Sequence, residues 1–92
     1  MIVSIKHKGL KELFINGNSR GDNPGHAAKL RMQLAALDTA IVIEDLDIPG
    51  YRLHRLSGDR RGTWSISVSG NWRLTFRFAD GNVYLLNYGD SH

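Results

Sequence analysis

Apolar and polar residues alternate strictly over two neighbouring segments of the chain, 64–69 and 72–78. Successive side chains of a strand point to opposite faces of a sheet, so each segment is predicted to be a strand with one apolar face. Gly70-Asn71 between them is typical of a hairpin turn. Folding at this turn gives a ribbon with one core face and one polar, cationic face. The core set is Trp64, Ile66, Val68, Trp72, Leu74, Phe76 and Phe78, and the polar set is Ser65, Ser67, Ser69, Arg73, Thr75 and Arg77.

Three further segments are predicted to join this ribbon. Alternation predicts a strand over 51–56. Residues 82–87 form another predicted strand, because Asp80-Gly81 ahead of them is a preferred type I′ turn pair. The residues after 87 are expected to leave this strand as a tail. Residues 2–7 alternate as well, which predicts a short strand at an edge of the sheet.

Leucine residues at helical spacing predict two helices ahead of the sheet. The first covers 9–16 and ends at Gly17, a typical C-cap residue. The second is expected to begin at Asn23-Pro24, which supply an N-cap and a first turn, and to end near residue 39. Residues 41–49 then return the chain to the sheet as a loop or short turn. The predicted fold is α+β, with an N-terminal strand, two helices and a four-stranded antiparallel run, the helices packed on one face of the sheet.

Length and composition favour one domain spanning residues 1–92, because 41% of the residues are hydrophobic. No apolar run approaches the roughly 20 residues that span a bilayer, and the first residues lack the apolar core of a signal peptide. We therefore expect a cytoplasmic protein without a membrane partner. The absence of cysteine excludes disulfides, and no pair of histidines has the spacing of helical or hairpin zinc ligands. We expect neither a metal nor another cofactor.

The positive charge is concentrated in one part of the chain. Residues 51–77 carry six arginines against one aspartate, whereas positive and negative charges balance over residues 1–50. A guanidinium group binds phosphate through two parallel hydrogen bonds, so this cluster suggests a polyanionic partner. The four expected RNA contacts are Arg55, Arg60, Arg61 and Arg77. On charge alone, a solvated basic surface with no ligand is the other interpretation.

The polar face of the ribbon is also a candidate site for acid–base chemistry. His54 is expected on the same side as Arg73 and Arg77, with Asp90 and His92 of the tail beside them. Two histidines, a carboxylate and an arginine are enough for RNA cleavage without a metal. One group removes the proton of the 2′-hydroxyl, another protonates the departing 5′-oxygen, and arginine stabilises the charge on the phosphorane.

Each candidate residue also has a simpler interpretation. A single histidine such as His54 is commonly a surface residue, His92 lies at a chain terminus where fraying is usual, and Arg73 can simply cover an exposed sheet face. His7 and His26 have no predicted partner and are interpreted as structural or surface residues.

Three motifs at these positions resemble the HigB-type toxins of the RelE/ParE superfamily, the toxin halves of bacterial toxin–antitoxin pairs. They are Leu-x-x-Leu-x-Gly-Asp over 53–59, Asn-Trp-Arg-Leu-Thr-Phe over 71–76 and Asp-x-His over 90–92. The resemblance extends over nearly the whole chain and implies a RelE-like fold. Such toxins are ribosome-dependent ribonucleases that cut mRNA in the decoding site.

The resemblance implies the toxin of a type II system, an mRNA endoribonuclease that acts in the ribosomal A site. Its implied partners are the ribosome, mRNA and a HigA-type antitoxin with a helix-turn-helix domain, with operator DNA reached only through that antitoxin. The implied active-site residues are His54, Arg73, Asp90 and His92. The two histidines would exchange protons, Arg73 would bind the phosphate, and Asp90 would act as a base or orient an imidazole. Which histidine is the base stays open.

Two departures from the family pattern bear on rate and codon preference. Ser91 stands where the family often has tyrosine, and Ser57 stands where many members have lysine. Two alternative functions also remain. One is a ParE-like toxin that inhibits gyrase, although that branch generally lacks the acid–base residues. The other is a basic RNA-binding module without catalysis, whose affinity for RNA would fall steeply with salt.

Overall fold

The structure, a computed structural model, describes residues 1–17, 24–58 and 61–90. It has two α-helices followed by an antiparallel sheet with strand order β1-β2-β3-β4. The elements are α1 (Lys8–Asn16), α2 (Ala27–Thr39), β1 (His54–Arg55), β2 (Trp64–Ser69), β3 (Trp72–Ala79) and β4 (Asn82–Asp90), with short 3₁₀ helices at Pro24–His26 and Ile43–Leu46. The α+β prediction is confirmed. Within the described ranges, none of the helices is long and apolar enough to traverse a bilayer.

The central hairpin has the predicted register over most of its length, but one extra residue of β2 lies between Ser67, which pairs with Arg73, and Ser69, which pairs with Trp72. The apolar pairs are Trp64 with Phe76 and Ile66 with Leu74, and the polar pairs are Ser65 with Thr75 and Ser67 with Arg73. The second turn is also confirmed. Asp80 and Gly81 have φ angles of 52° and 77°, which a type I′ turn requires at both central positions.

The first helix is held at both ends by caps. The Leu10 amide donates to Nδ1 of His7 at 3.0 Å, so a histidine serves as the N-cap. Gly17 adopts φ 70° and its amide donates to the Leu13 carbonyl at 3.0 Å, as predicted for the C-cap. Helix α2 ends at Thr39 as expected, but residues 24–26 form a 3₁₀ turn ahead of it. The predicted N-cap Asn23 lies outside the described residues.

The core lies between the helices and one face of the sheet. Its buried members are Leu10, Leu13, Leu30, Leu34, Leu37, Ala40, Leu46, Ile66, Val68, Leu74, Phe76, Val83, Leu86 and Tyr88. Burying one large apolar side chain contributes about 1.5–3 kcal/mol, so this layer supplies the main favourable term. The helices therefore fix which face of the sheet is left for polar residues.

The N-terminal residues run along the outer edge of β4, as predicted, but they do not form the strand expected over residues 2–7. They pair in parallel at two isolated bridges, Ile2 with Val83 and Ile5 with Leu86, rather than as a continuous ladder. The bonds of the first bridge are made by Val3 and Met1, and the Ile2 amide donates to a carboxylate oxygen of Asp38 on α2, at 2.9 Å. This bond ties the edge of the sheet to the helix layer.

Strand β1 is shorter than predicted. The expected strand over 51–56 is reduced to His54–Arg55, because Arg52 adopts φ 51° and interrupts the ladder. A left-handed backbone at a residue with a side chain costs about 1–2 kcal/mol. The alternation of 51–56 still places Tyr51 and Leu53 against the core and leaves Arg52 and His54 exposed.

Strand β4 is longer than predicted, and the expectation of a tail after residue 87 is wrong. The register shifts by one residue between the pairs Arg77–Tyr84 and Thr75–Asn87. Leu85, with φ 54°, is the extra residue of a β-bulge. The bulge keeps Leu86 and Tyr88 on the core face, and pairing continues to Asp90.

Candidate functional site

The face of the sheet opposite the helices, termed the polar face, carries the polar set predicted from the sequence except Ser69, which pairs with Trp72 of the core face. Directly paired residues of an antiparallel sheet share a face, so the register identifies its members. They are His54, Ser65, Ser67, Arg73, Thr75, Arg77, Tyr84, Asn87 and Gly89. His54 and Arg73 of the predicted catalytic set are therefore on one face.

The register allows the separation between His54 and Arg73 to be estimated. His54 pairs with Ser65, and Arg73 pairs with Ser67 two residues further along β2. With strands about 4.8 Å apart and about 3.4 Å per residue, the two Cα atoms are roughly 12 Å apart. An extended arginine side chain and an imidazole can reach the same group across that separation.

Two polar side-chain atoms on this face are buried and have no hydrogen-bond partner among the residues that the structure describes. They are Nη1 of the half-buried Arg73 and the hydroxyl oxygen of Ser65, which is 0% exposed. An unpaired buried polar group costs about 1–3 kcal/mol, so native structures usually satisfy such groups. Their presence beside His54 marks this part of the sheet as a candidate functional site.

The described arginines of the predicted RNA-binding set do not all share the polar face. Arg77 is exposed on it, and Arg61 is exposed in the turn that precedes β2. Arg55 pairs with Trp64, and its guanidinium carbon lies 5.3 Å from the centroid of that ring, on the helix side of the sheet. Arg60 lies outside the described residues.

Asp90 is placed on the other face from His54 and Arg73. It pairs with Trp72 at the end of β4, and Trp72 packs against the core. Its side chain is exposed at that corner of the sheet. His92 lies outside the described residues. Of the predicted catalytic set, the structure thus brings together His54 and Arg73.

A cluster that the sequence analysis missed adjoins Asp90 on the helix side. The Tyr88 hydroxyl lies 2.6 Å from Nδ1 of His26. The Tyr88 ring stacks on Trp72, with centroids 4.9 Å apart at 27°, and His7 approaches it edge-on at 5.3 Å. These contacts join the starts of both helices to the end of β4. The adjacent Leu85 and Leu86, which break the alternation, were the signal that Tyr88 faces the core.

No three histidine, aspartate or glutamate side chains in residues 1–17, 24–58 and 61–90 are grouped closely enough to hold a metal ion. The polar face instead offers an exposed imidazole, the guanidinium groups of Arg73 and Arg77, and several hydroxyls. Nδ1 of His54 lies 3.1 Å from the carbonyl oxygen of Arg52. These groups can bind an anion and exchange a proton with it.

Substitution of Tyr88 tests whether the cluster anchors the end of β4. Tyr88→Phe keeps the stack on Trp72 and removes the hydrogen bond to His26, so we expect the free energy of unfolding to fall by about 0.5–1.5 kcal/mol. Urea denaturation measures it. Tyr84→Phe is the matched control, because the half-buried Tyr84 lies on the polar face. Equal losses in both variants would contradict the assignment.

Comparison with known proteins places the chain in a family. The family of RelE-like toxins of the type II toxin–antitoxin system HigB matches residues 3–92. The chain is 49% identical over 92 residues to Endoribonuclease HigB of Proteus vulgaris, and the alignment covers 100% of both chains. It is 34% identical over 94 residues to Toxin HigB-1 of Vibrio cholerae serotype O1, covering 100% of this chain and 98% of that protein. The chain therefore belongs to the HigB-like family of RelE-like toxins from type II toxin–antitoxin systems.

Proposed function

We propose that this protein is a ribosome-dependent endoribonuclease that cuts mRNA in the ribosomal A site and so stops translation. Its family supports the toxin assignment, and the name of its relative from Proteus vulgaris supports the endoribonuclease activity. The observation that carries the chemistry is the placement of His54 and Arg73 on one polar face of the sheet.

The proposed reaction uses the 2′-hydroxyl of the RNA as its nucleophile. One imidazole, of His54 or His92, removes the 2′-proton, and the other protonates the 5′-oxygen as its bond to phosphorus breaks. Arg73 neutralises the charge that develops on the non-bridging oxygens. Asp90 pairs with Trp72 on the other face, which favours an orienting role for its carboxylate over direct proton abstraction beside His54.

The proposed partners follow from this activity. A type II toxin has an antitoxin, for which we propose a HigA-type protein with a helix-turn-helix domain that also carries any contact to operator DNA. The ribosome presents the mRNA in the decoding site, so the protein is proposed to act in the cytoplasm. We assign no metal or cofactor to the reaction.

Two arginines test whether RNA binds to the polar face. Arg77 lies on that face and Arg55 lies over Trp64 on the other, although the charge pattern predicts both as RNA contacts. We expect Arg77→Ala to raise KM for ribosome-bound mRNA several-fold. The slope of log KM against log salt concentration should fall by about one, because one phosphate contact is lost. Arg55→Ala should leave KM within about twofold. Equal effects would contradict the choice of face.

The proposed activity is tested by mapping 5′ ends of a reporter mRNA in a reconstituted translation system, with and without ribosomes. The wild-type protein should cut at codon-phased positions only when ribosomes are present. His54→Ala and His92→Ala should each lower the rate by about 100-fold or more, because each removes one proton-transfer group.

His7→Asn is the matched histidine control, since asparagine also accepts the N-cap hydrogen bond of α1. Its cleavage rate should stay within about twofold of the wild type. Intact mRNA despite growth arrest and DNA damage would replace this function with the gyrase-inhibiting one. Salt-sensitive binding to naked RNA without any cleavage would leave a binding module.

A further inference from the structure

The backbone at Arg52 departs from the ladder that β1 and β2 otherwise form. His54 pairs with Ser65 and Arg55 pairs with Trp64, so a continuous antiparallel ladder would pair Arg52 with Ser67. Instead, the Ser67 amide donates to the Tyr51 carbonyl at 2.6 Å. Arg52, with φ 51°, is therefore an extra residue between two pairing points, in the manner of a β-bulge.

The chain on either side of Arg52 is held in place. Tyr51 packs against the core, and burial raises the pKa of its phenol. The Tyr51 amide donates to the Ile48 carbonyl at 2.9 Å, and on the other side His54 is fixed by its pairing with Ser65. The surroundings thus determine the conformation of Arg52.

The consequence concerns the carbonyl oxygen of Arg52. In a continuous ladder this oxygen would accept the Ser67 amide, but the extra residue releases it. The released oxygen lies 3.1 Å from Nδ1 of His54. A carbonyl oxygen only accepts hydrogen bonds, so this contact requires a proton on Nδ1. The lone pair of the neutral ring is then on Nε2.

We propose that Arg52 is a positioning residue whose carbonyl holds neutral His54 in the Nδ1–H tautomer, so that Nε2 exchanges the proton with RNA. Unconstrained histidine prefers the proton on Nε2, so the tautomer has to be imposed. The same carbonyl accepts from the charged ring as well, and the arrangement serves His54 as base or as acid. The catalytic part of this inference rests on the proposed function, whereas the tautomer itself does not.

Two substitutions of Arg52 separate its backbone from its side chain. Arg52→Gly and Arg52→Val both remove the guanidinium group. Glycine adopts a positive φ without penalty, whereas the β-branched valine disfavours it. The glycine variant should therefore keep the carbonyl beside His54, and the valine variant should withdraw it.

The first measurement is the tautomer of His54 from long-range ¹H–¹⁵N correlation spectra, at a pH where the ring is neutral. The wild-type protein and Arg52→Gly should show a protonated Nδ1, and Arg52→Val should shift toward protonation on Nε2. The second is mRNA cleavage on ribosomes. We expect Arg52→Val to lower kcat by about tenfold or more with KM nearly unchanged, and Arg52→Gly to stay within about twofold.

A wild-type spectrum with the proton on Nε2 overturns the inference, whatever the variants do. The inference is also overturned if the His54 tautomer and kcat of Arg52→Val are the same as those of Arg52→Gly. If the valine variant fails to fold, the wild-type and glycine spectra still decide the tautomer. A protonated Nδ1 in a wild-type protein that cleaves no mRNA upholds the tautomer and refutes the proposed function.

Discussion

The helices pack against only one face of the β2–β3 hairpin, and the rest of the structure depends on that one-sided packing. Residues such as Ile66, Leu74 and Phe76 are fully or almost fully buried between the layers. Because side chains alternate along a strand, burying this set commits the intervening serines and arginines to the other face. A slip of one residue would exchange the two sets, so the core fixes the register and thereby assembles the polar face.

The sequence predicts those parts of the fold whose determinants are local. The hairpin follows from strict alternation and from turn residues, apart from the extra residue between Ser67 and Ser69, and α1 follows from leucine spacing and Gly17. Single extra residues are harder to predict, because they change pairing without changing composition. The bulge at Leu85 carries pairing on to Asp90, and the one at Arg52 shortens β1. The adjacent Leu85 and Leu86 indicate the bulge in β4, but no local sequence pattern predicts the extra residue at Arg52.

The same two irregularities determine what the sheet offers to a ligand. At one edge, the extra residue Arg52 turns a carbonyl toward His54. In β4, the extra residue Leu85 turns Tyr88 toward His26 and Trp72, and assigns Asp90 to the helix side. The arginine-rich segment is divided in a similar way, with Arg55 over Trp64 and Arg77 on the polar face. The register of the strands therefore decides which arginines of the segment add positive charge to the polar face.

The arrangement supports a reaction in which RNA supplies the nucleophile and the protein moves protons and neutralises charge. The most direct test is cleavage of a ribosome-bound mRNA that carries a single 2′-deoxynucleotide on the 5′ side of the cleaved bond, compared with the all-ribose message. The account predicts that the ribose message yields a 2′,3′-cyclic phosphate and a 5′-hydroxyl, and that the deoxy message stays intact at that bond. Cleavage of the deoxy message, or products with a 5′-phosphate and a 3′-hydroxyl, would contradict it.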